Sequence, residues 1–159
     1  MAEFTIRKAA EGDEQDIFDM IMELAVYEKL ENEVVGSAEL LKEELFNKKH
    51  ANVLLACLDG KPIGYALYFY NFSTFLTRSG IYLEDLYIKP EHRKNGYGKA
   101  LLRALAKDCK QNGRGRLEWS CLKWNKPSID FYKSLGAFEM EEWMTFRLTG
   151  KALEDMGKQ

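Results

Sequence analysis

The stretch Ile81-Tyr82-Leu83-Glu84-Asp85-Leu86-Tyr87-Ile88, then Arg93-Lys94-Asn95-Gly96-Tyr97-Gly98-Lys99, then Leu101, Leu102, Leu105 and Ala106, decides the fold. The first eight residues are dominated by branched and aromatic side chains, and Lys89-Pro90 stops them as a strand, because proline has no N–H to give a ladder. The leucines three and four apart mark the apolar face of a long helix that the spacing ends near Asn112-Gly113. Between strand and helix lies a loop with two glycines, whose backbone N–H groups can point at an anion where the positive end of the helix dipole adds attraction. Gly96 and Gly98 let the backbone approach a ligand without an intervening Cβ, and Arg93 and Lys99 supply positive charge. The segment predicts a pyrophosphate cradle. A dinucleotide fold would need Gly-x-Gly-x-x-Gly in the first strand-to-helix unit and an acid about 20 residues later. Here the glycines come late, and that fold is rejected.

Working outward, Phe4-Thr5-Ile6-Arg7 alternates like a half-buried strand, and Asp13 stands as a cap before Ile17, Met20, Ile21 and Leu24 at helical spacing. A second helix is predicted from Ser37, carrying Leu40, Leu41 and Leu45 inward. Residues 53–58 and 63–70 flank Asp59-Gly60-Lys61 and predict a hairpin, followed by a loop over residues 71–80. Beyond the long helix, residues 117–122 return as a strand that includes Cys121. A short helix follows, opened by Pro127 and ended by Gly136, and residues 144–148 close as a strand. This order predicts one α/β domain over residues 1–159, with a mixed central sheet of about six to seven strands and helices on both faces.

The 159 residues, 46% of them hydrophobic, suffice for one such core. Lys and Arg total 23 against 25 Asp and Glu, a net charge of −2 that offers no basic field for nucleic acid. No apolar run approaches the roughly 20 residues of a membrane span, and the expected compartment is the cytoplasm. Cys57, Cys109 and Cys121 are odd in number and widely separated, so they read as reduced thiols. With only His50 and His92 available, no metal site is expected.

Arg93-x-x-Gly96-x-Gly98 before a helix, with Asn125-x-Pro127-Ser128-x-x-Phe131-Tyr132-x-x-x-Gly136-Ala137 downstream, resembles the GCN-five-related N-acetyltransferases. Within them, Glu23-Leu24-Ala25-x-Tyr27-Glu28, Tyr82-Leu83-Glu84-Asp85 and Trp124-Asn125-Lys126-Pro127-Ser128 resemble the diamine (spermidine/spermine) branch, which includes a related thialysine enzyme. The resemblance covers nearly the whole chain and implies acetyl-CoA as cosubstrate. By position it implies that Leu86, Tyr87 and Ile88 bind the acetyl-pantetheine arm. Arg93, Lys94, Asn95, Gly96, Tyr97, Gly98 and Lys99 would hold the pyrophosphate, and Asn125, Lys126, Pro127 and Ser128 would complete the cofactor site. Tyr27, Glu28 and Glu84 would meet a small-molecule amine, with Glu118, Trp119 and Ser120 further along the same groove. Tyr132 would be the general acid, and the family habit implies a homodimer. Departures occur at Lys94, where the family often has glycine, and at Lys126, where some polyamine enzymes have an acid.

The chemistry sets demands of its own. An amine of pKa ~10.4 is neutral in only about one molecule in ~2,500 at pH 7, a handicap of roughly 4.6 kcal/mol for attack on a thioester. Strand alternation sends Glu84 and Asp85 to opposite faces, so one acid is expected at the acetyl group, and Glu84 is assigned as general base, directly or through water. The bland alternative pairs one of these acids with a buried Arg or Lys. An opening of the ladder by a bulge at residues 86–88 would free an N–H for the acetyl oxygen. No residue qualifies as an acyl-enzyme nucleophile, so direct transfer in a ternary complex is expected. If the acceptor were an amino-acid-like amine such as thialysine, its carboxylate would need Lys126, Arg78 or Lys123. A protein acetyltransferase and a non-catalytic acetyl-CoA-binding regulator are the remaining alternatives.

Overall fold

The computed structural model describes residues 1–158. Strands β1 (Phe4–Lys8), β2 (Asn52–Leu58), β3 (Lys61–Ser73), β4 (Arg78–Ile88) and β5 (Leu117–Trp119) form one sheet in the order β1-β2-β3-β4-β5. All pairs are antiparallel except β4 with β5. The β2–β3 hairpin closes at Asp59 and Gly60, both at positive φ (49° and 81°), as the twist of a tight hairpin requires.

Three expectations shift. The loop foreseen over residues 71–80 is mostly ladder: Tyr70 pairs with Ile81, Phe72 with Ser79 and Ser73 with Arg78. Phe69 stacks on Tyr82 with ring centroids 5.3 Å apart, so cross-strand aromatic contacts carry the hairpin outward to a short turn. The final strand, residues 144–148, is not formed, because a strand needs a ladder partner and none pairs with this segment among the described residues. The described sheet accordingly has five strands rather than six to seven. Residues 120–122 also fall outside β5, leaving Cys121 beyond the sheet and partly exposed.

Helix α1 (Glu14–Tyr27) begins after Asp13, but Asp13 does not cap it. Its carboxylate accepts two hydrogen bonds from Arg7, at 2.7 and 2.9 Å, and one from the Ala10 N–H. The charged partner outcompetes the helix end, and it holds the Asp13 carboxyl below its ordinary range. Ser37 does cap α2 (Ala38–Lys42), accepting from the Leu40 N–H at 3.1 Å, and the helix continues as one wide turn, Glu43–Asn47. Ile17, Met20 and Leu45 pack with Val53, Leu55, Cys57, Tyr65 and Tyr87, which defines one face of the sheet. The other face meets α3 (Tyr97–Gln111) through Leu101, Leu102 and Leu105, all buried.

The contacts of the chain divide it into two compact units, Met1–Ser120 and Cys121–Gln159. The second contains α4 (Lys126–Ser134) and α5 (Gly150–Met156). Pro127 opens α4, and Gly136, at φ 93°, follows its end, as the sequence predicts.

Candidate active site

The geometry of the site begins in the β4 ladder. Lys89 donates its N–H to the Ile63 carbonyl at 2.9 Å, and the register continues as Tyr87↔Tyr65 and Asp85↔Leu67. Bonded and non-bonded pairs alternate in an antiparallel ladder, so Leu86 and Ile88 turn their N–H and C=O away from β3. On that side β5 pairs only with Ile81, Tyr82 and Leu83. From Glu84 onward β4 therefore faces a gap in the sheet, with the Leu86 N–H directed into it. The opening expected from a bulge at residues 86–88 is supplied instead by the early end of β5.

A register shift does exist, but at Glu84. Leu83 pairs with Tyr68 and Asp85 with Leu67, so Glu84 is the extra residue. Side-chain parity changes across it: Leu83 is buried on the α3 face, whereas Asp85 and Tyr87 point to the α1 face. Simple alternation is thus broken at the two acids, and both lie within electrostatic reach of Glu28 at the end of α1. Burial, reinforced by the charges of Asp85 and Glu84, pushes the Glu28 carboxyl above its ordinary range. Burial likewise raises Asp85, with Glu84 adding to the rise and a hydrogen bond from the Tyr65 phenol, 2.9 Å, opposing it. Asp85 thus has a phenol where a buried cation was the bland expectation. Glu28, Glu84 and Asp85 thus form one electrostatically coupled set of carboxylates, which suits a cationic guest.

Neighbouring groups brace this cluster. Tyr87 and Lys89 donate to the two oxygens of Glu23 at 2.8 and 2.7 Å, tying α1 to β4; burial opposes ionisation of Glu23, and these two bonds hold its carboxyl below the ordinary range. The Arg93 guanidinium lies over the rings of Tyr27 and Tyr87, 5.1 and 5.5 Å from their centroids, and its Nε donates to the Ile88 carbonyl at 2.8 Å. Arg93 therefore stands between tyrosines, as a brace linking the end of α1 to the phosphate loop.

The loop itself fits a pyrophosphate. Gly96 caps α3 at φ 80° and Lys94 is at φ 67°, while α3 has neither a side-chain cap nor an acid in its first turn. Its first N–H groups stay outside the helical ladder. A Cβ built on Gly96 would meet nothing within 4 Å, and on Gly98 it would meet only Ile88 Cγ1, at 3.9 Å. Lys94, Asn95 and Lys99 are exposed beside these N–H groups. Tyr97 serves packing, its ring stacked on Phe4 at 4.2 Å.

Glu118 is engaged by Arg116 at 3.1 Å and by the Asn71 amide at 3.3 Å, so its charge is largely spent within the sheet edge. Ser120 bonds the Tyr82 hydroxyl at 2.6 Å, and Trp119 pairs with Leu83 in the ladder. In the second unit, buried Asn125 caps α4 by accepting from the Ser128 N–H at 3.4 Å, and Lys126 pairs with Asp130 at 3.2 Å. Tyr132 lies in α4 with its ring 5.6 Å from that of Phe131. Tyr65 and the Glu23 network were missed in the sequence, because their partners are 20 and 64 to 66 positions away and only the register joins them. A separate groove of about 590 Å³ on the α3 face, bordered by Lys8, Tyr68, Tyr70 and Arg114, shares no residue with this cluster. There Arg114 is already committed to Asp108 at 3.2 Å and to the Tyr70 ring at 3.8 Å.

Comparisons with known proteins identify the family. The profile of the acetyltransferase (GNAT) family matches residues 14–137. The chain is 38% identical over 171 residues to a thialysine N-epsilon-acetyltransferase of Sus scrofa, covering 98% of each. It is 29% identical over 164 residues to a human spermidine/spermine N(1)-acetyltransferase-like protein, covering 96% of this chain and 24% of that one. In fold it is similar to an aminoglycoside N-acetyltransferase solved in complex with CoA, with a TM-score of 0.75, 18% identity, and 92% of this chain and 95% of that chain covered.

Proposed function

Because this chain belongs to the acetyltransferase (GNAT) family and is an amine N-acetyltransferase, we propose that its acceptor is a primary amine of a polyamine or diamine. The observation that carries this reading is the electrostatic coupling of Glu28, at the end of α1, with Glu84 and Asp85 at the β4 register shift. A di- or polycation meets that charge at more than one point, whereas a monocation leaves part of it unbalanced. Acetyl-CoA is the donor in this family; the loop of residues 93–99 would hold its pyrophosphate, the Leu86 to Ile88 edge its pantetheine arm, and Asn125 to Ser128 the remainder.

In the proposed reaction Glu28 and Asp85 bind the ammonium form and Glu84 removes its proton, directly or through water. The Leu86 N–H donates to the acetyl oxygen as negative charge grows there during attack by the neutral nitrogen. As the C–S bond breaks, Tyr132 gives a proton to the sulfur, and the proton that the acetylated nitrogen must still lose restores the Tyr132 phenol through solvent. The acetyl group passes directly, without an acyl-enzyme. Release of coenzyme A across spermidine, spermine, putrescine, thialysine and lysine tests the reading. The expected order has spermidine or spermine fastest, with at least a ~100-fold loss of kcat in Tyr132→Phe.

A second reading is favoured by the full-length likeness to a thialysine enzyme: an amino-acid-like amine whose carboxylate requires a basic partner. Arg78 donates to the Gly113 carbonyl and Lys126 is paired with Asp130, which leaves Lys123 as the less committed candidate. Fastest turnover on thialysine, lost in Lys123→Ala, would replace the polyamine reading. The proposal extends to a cytoplasmic homodimer; no helix among the described residues is long and apolar enough to cross a membrane.

A further inference from the structure

Tyr65 is wholly shielded from solvent in the middle strand of the sheet, packed among Ile17, Met20, Leu55 and Tyr87. A phenylalanine would fill the same space. The hydroxyl is the part that packing does not require, and burying it costs free energy unless it is bonded. Its partner is Asp85 Oδ2 at 2.9 Å. That bond crosses from β3 to β4 just beyond the Glu84 bulge, where the strand is least constrained by its neighbours.

We propose that Tyr65 is a positioning residue of the acceptor site: its buried phenol fixes Asp85 through Oδ2 and leaves Oδ1 for the ammonium group of the substrate. This rests on the assignment of Asp85 and Glu28 to the acceptor. A carboxylate whose one oxygen is bound to a rigid core donor cannot swing away from Glu28, and a donor on that oxygen favours the ionised form that a cation needs. The groups coupled to Asp85 are Tyr65 from β3, Glu84 from β4 and Glu28 from the end of α1, with Tyr87 two positions along the same face of β4. Burial, with the charge of Glu84 adding to it, disfavours ionisation of Asp85, and the Tyr65 hydroxyl is the donor opposing both. Removing that hydroxyl loosens the carboxylate and moves its titration to higher pH.

The test compares Tyr65→Phe, Asp85→Asn and the double variant in the full-length protein, with amine and acetyl-CoA varied separately across pH. Tyr65→Phe is expected to raise the amine KM on the order of tenfold while leaving the acetyl-CoA KM unchanged. The acidic limb of kcat/KM for the amine is expected to move alkaline, with recovery at high pH. In the Asp85→Asn background Tyr65→Phe should cause no further shift of the acidic limb, because the titrating carboxylate is gone. An unchanged amine KM and pH profile in Tyr65→Phe, with Asp85→Asn still impaired, would reduce Tyr65 to a core residue and leave the acceptor assignment standing. An unimpaired Asp85→Asn would overturn that assignment and the inference with it. Thermal midpoints of all variants separate either result from misfolding.

Discussion

Gly98 and Gly96 look alike in the sequence and differ in what the chain demands of them. Gly96 sits at φ 80°, where a side chain is strained whatever the space, so Gly96→Ala is expected to cost about 1 kcal/mol or more of stability. Gly98 is in the first turn of α3, and a methyl there meets only an ordinary contact with Ile88. Gly98→Ala should therefore leave stability unchanged or raise it slightly, by under ~1 kcal/mol. If the loop carries the pyrophosphate, the same variant should weaken acetyl-CoA on the order of tenfold, since the new Cβ occupies the line of approach. Calorimetric unfolding and acetyl-CoA titration measured together separate the two effects. Glu28 supplies a second contrast. Its carboxyl titrates higher in the folded chain than in the unfolded one. Between those two values the folded state holds more protons, and stability falls as pH rises through that window. Glu28→Gln is accordingly expected to raise the melting temperature at neutral pH and to leave it unchanged below about pH 4, where both states are protonated. The same change should raise the amine KM about tenfold, so a stabilised variant that binds amine as well as the native chain would remove Glu28 from the site.

At the scale of elements, α1, β4 and the phosphate loop meet at Arg93. The guanidinium holds Tyr27 from the helix and Tyr87 from the strand, and its Nε bond to Ile88 fixes the first residue of the loop. Arg93→Met keeps much of the volume and loses both interactions, so a destabilisation of about 1–2 kcal/mol is expected. Under the proposed assignment one residue serves the acceptor end and the cofactor end, so the KM values of amine and acetyl-CoA should rise together. A rise confined to acetyl-CoA would mean that Arg93 acts as a phosphate ligand. This element also marks the limit of what the sequence reveals. The strand, the loop and the helix at residues 81–111 were legible because proline, glycine and leucine spacing act locally. The placement of Glu84 against Asp85 was not, since a one-residue register shift inverts side-chain parity and leaves no local signature. Asp13 shows the same limit on a smaller scale: its cap-like position was readable, and its capture by Arg7 depends on where β1 ends.

For the whole molecule, the order of elements carried the family, while the second unit departs most from expectation. Residues 144–148 have the alternation of a strand and no ladder, and Trp143, Met144 and Phe146 are 72%, 76% and 87% exposed. So much apolar surface on one short segment is unusual for a monomer and would suit the proposed subunit contact. Phe138 and Met140 extend it, at 80% and 53% exposure. The proposed homodimer gives the segment a role: pairing with a second copy would satisfy its backbone and bury these side chains. Light scattering at micromolar concentration is expected to give twice the 18.4 kDa chain mass. Slow amide exchange at residues 144–148 in the dimer should become fast in Trp143→Ser/Phe146→Ser, with a shift toward half the mass. A native chain that stays monomeric, or a double variant that remains dimeric with protected amides, would place the subunit contact elsewhere or remove it.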